Sequence, residues 1–244
     1  MTIWHAERGA GEPVVLLHST AADSGMWQSQ AEALAGRFRV ITVDFRGYGR
    51  TPYRAEAPYS DAADVAEVLA GLGVGRAAVV GSSGGTPAAL ELAAAGLADR
   101  LVLLNPVAGL PPTDDVRAYW EEENRLVELG DLDGAAELTG RTLLGPHASG
   151  AARRRLVAMQ RNAYELQLAA DPEPEQVETE LTPSAIDVPA LVVAGAHDLA
   201  WFGRCARHLA GELPRGRLVE LEWAGHLPAM ERPEEIDRLL LDYL

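Results

Sequence analysis

No lysine occurs among the 244 residues, so all 21 basic side chains are arginine. That removes Schiff-base chemistry, covalent pyridoxal phosphate, a P-loop lysine and a Ser-Lys dyad together, and leaves histidine as the general base for an activated hydroxyl. Cysteine is nearly absent: the single Cys205 excludes an intramolecular disulfide framework and a cysteine-rich metal site, and it suits a reducing, intracellular setting. Positive charge is scarce against 36 acidic residues, giving a net charge of −15. Such a chain repels nucleic acid and anionic membrane surfaces, so neither is an expected partner. No stretch approaches the ~18 apolar residues of a membrane span. Glu7 and Arg8 interrupt the first ten residues, which carry no secretory pattern. A cytoplasmic location is the expectation. The six histidines lack the H-x-x-x-H spacing of a metal helix, and Gly73-Val74-Gly75 precedes a strand instead of following one, so neither metal nor cofactor is expected.

What the chain does have is an alternation of apolar strands and amphipathic helices, with 48% hydrophobic residues, enough for one large α/β core. After a short N-terminal strand at 2–7, strands are expected near 13–18, 39–44, 76–82, 100–105, 189–195 and 217–222. Helices are expected near 25–35, 60–72, 84–96, 203–211 and 233–243. The alternation breaks after Pro111-Pro112, where about 70 residues carry no strand pattern, far more than a crossover needs. Helical periodicity runs instead over 116–129, 132–144 and 151–170. The expected division is a core of 1–110 and 186–244 with a helical insertion at 111–185.

Gly81-Ser82-Ser83-Gly84-Gly85 lies between the apolar run 77–80 and the helix former 88–95. This strand, tight turn and helix fit the G-x-S-x-G elbow, which presents Ser83 as a nucleophile; a glycine-rich turn whose serines merely cap the helix is the plainer alternative. A serine hydroxyl needs a histidine base and an acid to orient it, in the order Ser, Asp, His. Asp198 follows the apolar strand 191–195, and His226 sits in the loop Ala224-Gly225-His226-Leu227-Pro228 after the strand 218–222. Three such groups in order, each at the end of its own strand, point to acyl transfer on Ser83.

With Pro13-Val14-Val15-Leu16-Leu17-His18, Asp44-Phe45-Arg46-Gly47-Tyr48-Gly49-Arg50-Thr51 and Gly225-His226-Leu227-Pro228, these motifs resemble the α/β-hydrolase superfamily, in its esterase and lactonase branch, over nearly the whole length. The resemblance implies a mostly parallel twisted sheet with helices on both faces and a helical lid at 111–185. It implies hydrolysis of a carboxylic ester or lactone of a small, mostly apolar metabolite through an acyl-enzyme on Ser83. The oxyanion would be received by the amides of Thr20 and Gly84. Here His18-Ser19-Thr20 replaces the usual His-Gly, and Gly84 stands where relatives carry a larger residue, which would widen or loosen the floor of the site. The insertion would offer Trp120, Leu143, Met159 and Tyr164 to the substrate, and core loops would add Trp27, Trp201 and Leu227. Arg153-Arg154-Arg155 reads as a solvated helix face, with recognition of an anionic substrate the less favoured reading. Thioester and carbon–carbon bond hydrolysis reuse the same residues, and a ligand-binding protein without turnover could keep them.

Overall fold

Seven strands, β1 (His5–Arg8), β2 (Glu12–Leu17), β3 (Phe38–Val43), β4 (Ala77–Ser82), β5 (Ala98–Leu104), β6 (Ala190–Gly195) and β7 (Gly216–Leu221), pair in the order β1-β3-β2-β4-β5-β6-β7. Only β1 runs antiparallel to its neighbour. The computed structural model describes residues 2–177 and 179–244. The central strands are nearly unbroken apolar runs because both faces of a parallel sheet are covered. The strand period of two then sends neighbours to opposite sides. Val14 and Leu16 join one core cluster while Val15 and Leu17 join the other, and Val102 and Leu104 divide from Leu101 and Leu103 in the same way.

Helices α1 (Gln28–Leu34) and α9 (Pro233–Tyr243) cover the first of these faces with Ala31, Leu34, Ile236 and Leu240. Helices α2 (Asp61–Gly71) and α3 (Gly85–Ala94) cover the second with Val65, Leu69, Ala89 and Leu92. A helix α7 (Ala200–Glu212) follows β6, and a one-turn α8 (Pro228–Glu231) follows β7. The expected N-terminal strand is shifted. Trp4 donates its amide to Thr51 Oγ1 and accepts from the Asp44 amide, so residues ahead of His5 tie the loop after β3 instead of extending the ladder.

Between β5 and β6 the chain forms α4 (Asp114–Glu128), α5 (Leu132–Thr142) and α6 (Gly150–Leu168). These helices have a small core of their own, in which Ala135, Ala136 and Tyr164 are packed by Leu126, Val127, Leu132 and Val157. The chain passes from β2 to β3 on one side and from β3 to β4 on the other, so the topological switch lies between β2 and β4. Crevices open at such a point at the carboxyl ends of the strands. The loop after β2 holds Thr20, and the turn after β4 holds Ser83. Among the described residues, no helix is long and apolar enough to cross a membrane.

Candidate active site

The turn between β4 and α3 is built around close backbone approach. A side chain at Gly85 would lie 2.6 Å from the His18 carbonyl oxygen and 2.8 Å from that of Leu17, and one at Gly81 would lie 2.8 Å from the Gly85 carbonyl oxygen. Ser83 is held at φ 49°, a left-handed conformation that non-glycine residues seldom adopt. The strain is held by the Ser83 amide donating to the Leu104 carbonyl and by the Ser83 carbonyl accepting from the Thr86 amide and hydroxyl. Ser82 points the other way: it is fully buried and its hydroxyl has no partner.

His226 Nε2 lies 2.7 Å from Ser83 Oγ, and its Nδ1 lies 2.7 Å from Asp198 Oδ2. Asp198 Oδ1 accepts the Leu199 amide at 2.7 Å, so the carboxylate can only accept from the ring, which places the ring proton on Nδ1 and leaves Nε2 as an acceptor for the serine hydroxyl. The Phe202 ring packs on the imidazole at 3.9 Å between centroids. The Ser83, His226 and Asp198 side chains thus form one continuous relay, and Asp187 is exposed ahead of β6, away from it.

Two further residues hold this relay and were not singled out from sequence. Asn105, at the end of β5 with φ 45°, donates to Asp198 Oδ2 at 2.7 Å and to the Gly225 carbonyl at 3.2 Å. Its signal was a polar residue ending an apolar strand beside the elbow. Glu231 is 6% exposed, and its carboxylate accepts the Gly225 and Leu227 amides on either side of His226. Burial pushes the Glu231 carboxyl up from its ordinary value. Its bracketing amides could not be read from sequence because they depend on the loop folding back. The His226 amide itself donates to the Leu143 carbonyl at 2.7 Å, which fastens this loop to the helical insertion.

On the opposite wall, the amides of Thr20 and Gly84 make no hydrogen bond to the rest of the chain among the described residues, which leaves two donors beside Ser83. His18 sets the first of them: its Nε2 accepts the Phe45 amide at 2.9 Å, so Nδ1 carries the proton and donates to the Ser19 carbonyl. Burial lowers the His18 pKa, in keeping with this neutral form. Ser19 needs no positive φ, which is why serine fits where glycine is usual. The expectation that Gly84 widens the floor is corrected. A methyl group there would overlap Thr20 Cγ2 and come within 2.9 Å of its Oγ1, so the Thr20 side chain fills the space from across the gap.

A cavity of about 330 Å³ opens from Ser83 and His226 towards the insertion, with Trp120, Leu143 and Tyr164 in its lining as expected. Four expected lining residues are elsewhere. Trp27 and Leu227 are fully buried in the core, because the turn before α1 and the start of α8 pack inward. Met159 packs towards Gly25, and Trp201 lies behind Trp120, edge to face at 5.4 Å, with its indole N–H on the Leu110 carbonyl. The lining is also less apolar than expected, since Glu123, Asn124, Gln160 and Gln167 contribute to it. Arg153 and Arg155 donate to the Gly140 and Gly25 carbonyls and do not line the cavity. Among the described residues, no three His, Cys, Asp or Glu side chains are grouped to hold a metal ion.

The family model described as the alpha/beta hydrolase family matches residues 14–239. RutD of Caulobacter vibrioides, which bears the name of a carbamate hydrolase, is 31% identical over 250 residues, covering 96% of this chain and 91% of its own. Among solved structures, Est816, described as an N-acyl homoserine lactone degrading enzyme, superposes with a TM-score of 0.80 at 26% identity, over 99% of this chain and 96% of its own. The enol-lactonase from Burkholderia xenovorans superposes with a TM-score of 0.76 at 26% identity, over 99% and 95%.

Proposed function

Because the chain belongs to the alpha/beta hydrolase family, we propose that it is a serine hydrolase that cleaves a carboxylic ester or lactone of a small metabolite through an acyl-enzyme on Ser83. The observation that carries this reading is the relay of two 2.7 Å contacts from Ser83 Oγ through His226 to Asp198. His226 Nε2 takes the hydroxyl proton as Ser83 Oγ attacks the carbonyl carbon, and Asp198 holds the ring and stabilises its charged form. The amides of Thr20 and Gly84 receive the developing oxyanion, each worth roughly 3–4 kcal/mol in such a site. His226 then gives its proton to the leaving alcohol. A water activated by the same nitrogen attacks the acyl group, and Ser83 is restored as the acid departs. Residues 111–185 serve as the lid that shapes the acyl side. The lactone-cleaving neighbours and the carbamate-hydrolase name of a relative favour an acyl substrate whose carbonyl carries an oxygen or nitrogen leaving group.

Hydrolysis of p-nitrophenyl acetate and labelling by a fluorophosphonate test the reading. Ser83→Ala is expected to lower kcat/KM by on the order of 10⁴ or more and to abolish labelling. Ser82→Ala is expected to do little, since that hydroxyl is buried without a partner. Equal losses in the two variants would discredit Ser83 as the nucleophile.

A further inference from the structure

Across the cavity from Ser83, the wall supplied by the insertion presents hydrogen-bond acceptors where an acyl pocket usually presents hydrocarbon. Glu123 of α4 lines this wall, and its Oε1 accepts the Tyr119 hydroxyl at 3.0 Å and the Tyr164 hydroxyl at 2.6 Å, while the Thr139 hydroxyl lies 3.2 Å from both this oxygen and the Ala135 carbonyl. Burial and the neighbouring Glu123 charge raise both tyrosine pKa values, so the phenols stay neutral donors. The two tyrosine hydroxyls on one oxygen fix the carboxylate in place and leave Oε2 with neither of them. Among the described residues, Glu123 has no ion-pair partner.

Gln160 of α6 lines the same cavity and is only 6% exposed. Among the described residues, its side-chain oxygen Oε1 is buried with no hydrogen-bond partner. An unsatisfied buried acceptor costs stability unless something from outside pairs with it. Glu123 and Gln160 line the same cavity, so Glu123 Oε2 and Gln160 Oε1 are two acceptors of one wall.

We propose that this wall is a recognition site for a substrate ammonium group, so that the preferred acyl chain ends in an amine. The proposal deepens the reading of Ser83 as the nucleophile and rests on it for the orientation of the substrate carbonyl. A carboxylate without a cation selects charge over a neutral hydroxyl, and an ammonium has N–H groups enough for both acceptors at once. The rings of Tyr48, Tyr119 and Trp120 in the same lining are suited to a cation. The net charge of −15 draws cations towards the protein.

Two measurements test this. In the first, Ser83→Ala protein is titrated calorimetrically with pentylammonium and with 1-pentanol. The ammonium is expected to bind roughly 10-fold or more tighter than the alcohol, and to lose that advantage in Ser83→Ala/Glu123→Gln. Tighter binding of pentanol, no detectable binding of the ammonium, or an advantage that survives Glu123→Gln overturns the proposal. This arm needs no turnover. In the second, kcat/KM is compared between p-nitrophenyl esters of β-alanine and butanoate, and of 6-aminohexanoate and heptanoate. At least one amino ester is expected to exceed its isostere by about 10-fold, mostly through KM, and Gln160→Leu is expected to shrink that ratio. Isosteres preferred in both pairs, or a ratio untouched by Gln160→Leu, overturn it. Failure to hydrolyse even p-nitrophenyl acetate would sink the nucleophile reading and leave the titration to decide the ammonium site.

Discussion

The sheet edge and the helical insertion wall the same cavity by different physics. On the sheet side, Ser83 and Asn105 sit at positive φ, and Gly81 and Gly85 of the elbow are pressed against backbone carbonyls. These four positions are dictated by main-chain geometry. On the insertion side, Glu123, Tyr119, Tyr164 and Thr139 are placed by side-chain hydrogen bonds among three helices with a small core of their own. Backbone-dictated sites tolerate few residue types, whereas a side-chain network can be rewritten without refolding the helix that bears it. Substitutions on the sheet side should therefore strike every substrate alike, and those on the insertion side should sort substrates.

The largest break in that comparison is expected at Asp198. Asp198→Asn keeps the shape but turns an amide donor towards His226 Nδ1 and Asn105 Nδ2, favouring the wrong ring tautomer. A loss on the order of 10⁴ in kcat is expected, the same for every ester tried. Asp187→Asn, exposed at the far end of β6, is expected to remain within about twofold of the unsubstituted protein. A collapse in Asp187→Asn with a near-normal Asp198→Asn would reverse the assignment of the acid.

A smaller effect is expected at Gly84, where the sheet side itself has been rearranged. The position has φ −59° and ψ −14°, which alanine adopts freely, so any cost of Gly84→Ala comes from the Thr20 side chain it displaces. Moving Thr20 moves one of the two free amides beside Ser83, and kcat is expected to fall by roughly 10- to 100-fold. Thr20→Gly/Gly84→Ala removes the overlap and is expected to recover most of that loss. A neutral Gly84→Ala would mean that the threonine side chain turns aside without shifting its amide.

The same contrast decides what could be read from the chain. Strand positions and the elbow, acid and histidine loops were legible because each imposes its own local pattern: an apolar run, a glycine turn, or a polar residue at a strand end. Asn105 and Glu231 were missed because their bonds join segments 93 and 6 residues apart through folded loops. Aromatic and apolar residues were sound guides to the lining at Trp120, Leu143 and Tyr164, but not at Met159 of the same insertion nor at Trp27 or Leu227, where the same chemistry serves the core. The polar wall of Glu123 and Gln160 was hidden among charged and polar residues whose helical faces look solvated until three helices are brought together.

The smallest effect on the chemical step, and the sharpest on selectivity, is expected at Trp120. It lines the cavity from α4 and leans edge-on against Trp201, which in turn packs on Phe202 and, through it, on His226. Trp120→Ala enlarges the cavity and is expected to change the kcat/KM ratio of long to short p-nitrophenyl esters by about 10-fold, with p-nitrophenyl acetate altered less than threefold. Trp201→Ala supplies the control, because that ring is 7% exposed and lies outside the lining. Truncating it should cost stability in the ~3–5 kcal/mol range of buried tryptophans and lower turnover of all esters together as the Phe202 ring loosens against the imidazole. Trp120 is only partly buried, so its own loss of melting temperature should be smaller. The two variants are separated by plotting the activity ratio against melting temperature. A Trp120→Ala protein whose activity falls uniformly, in step with a melting temperature as low as that of Trp201→Ala, would place Trp120 with the packing and not with substrate selection.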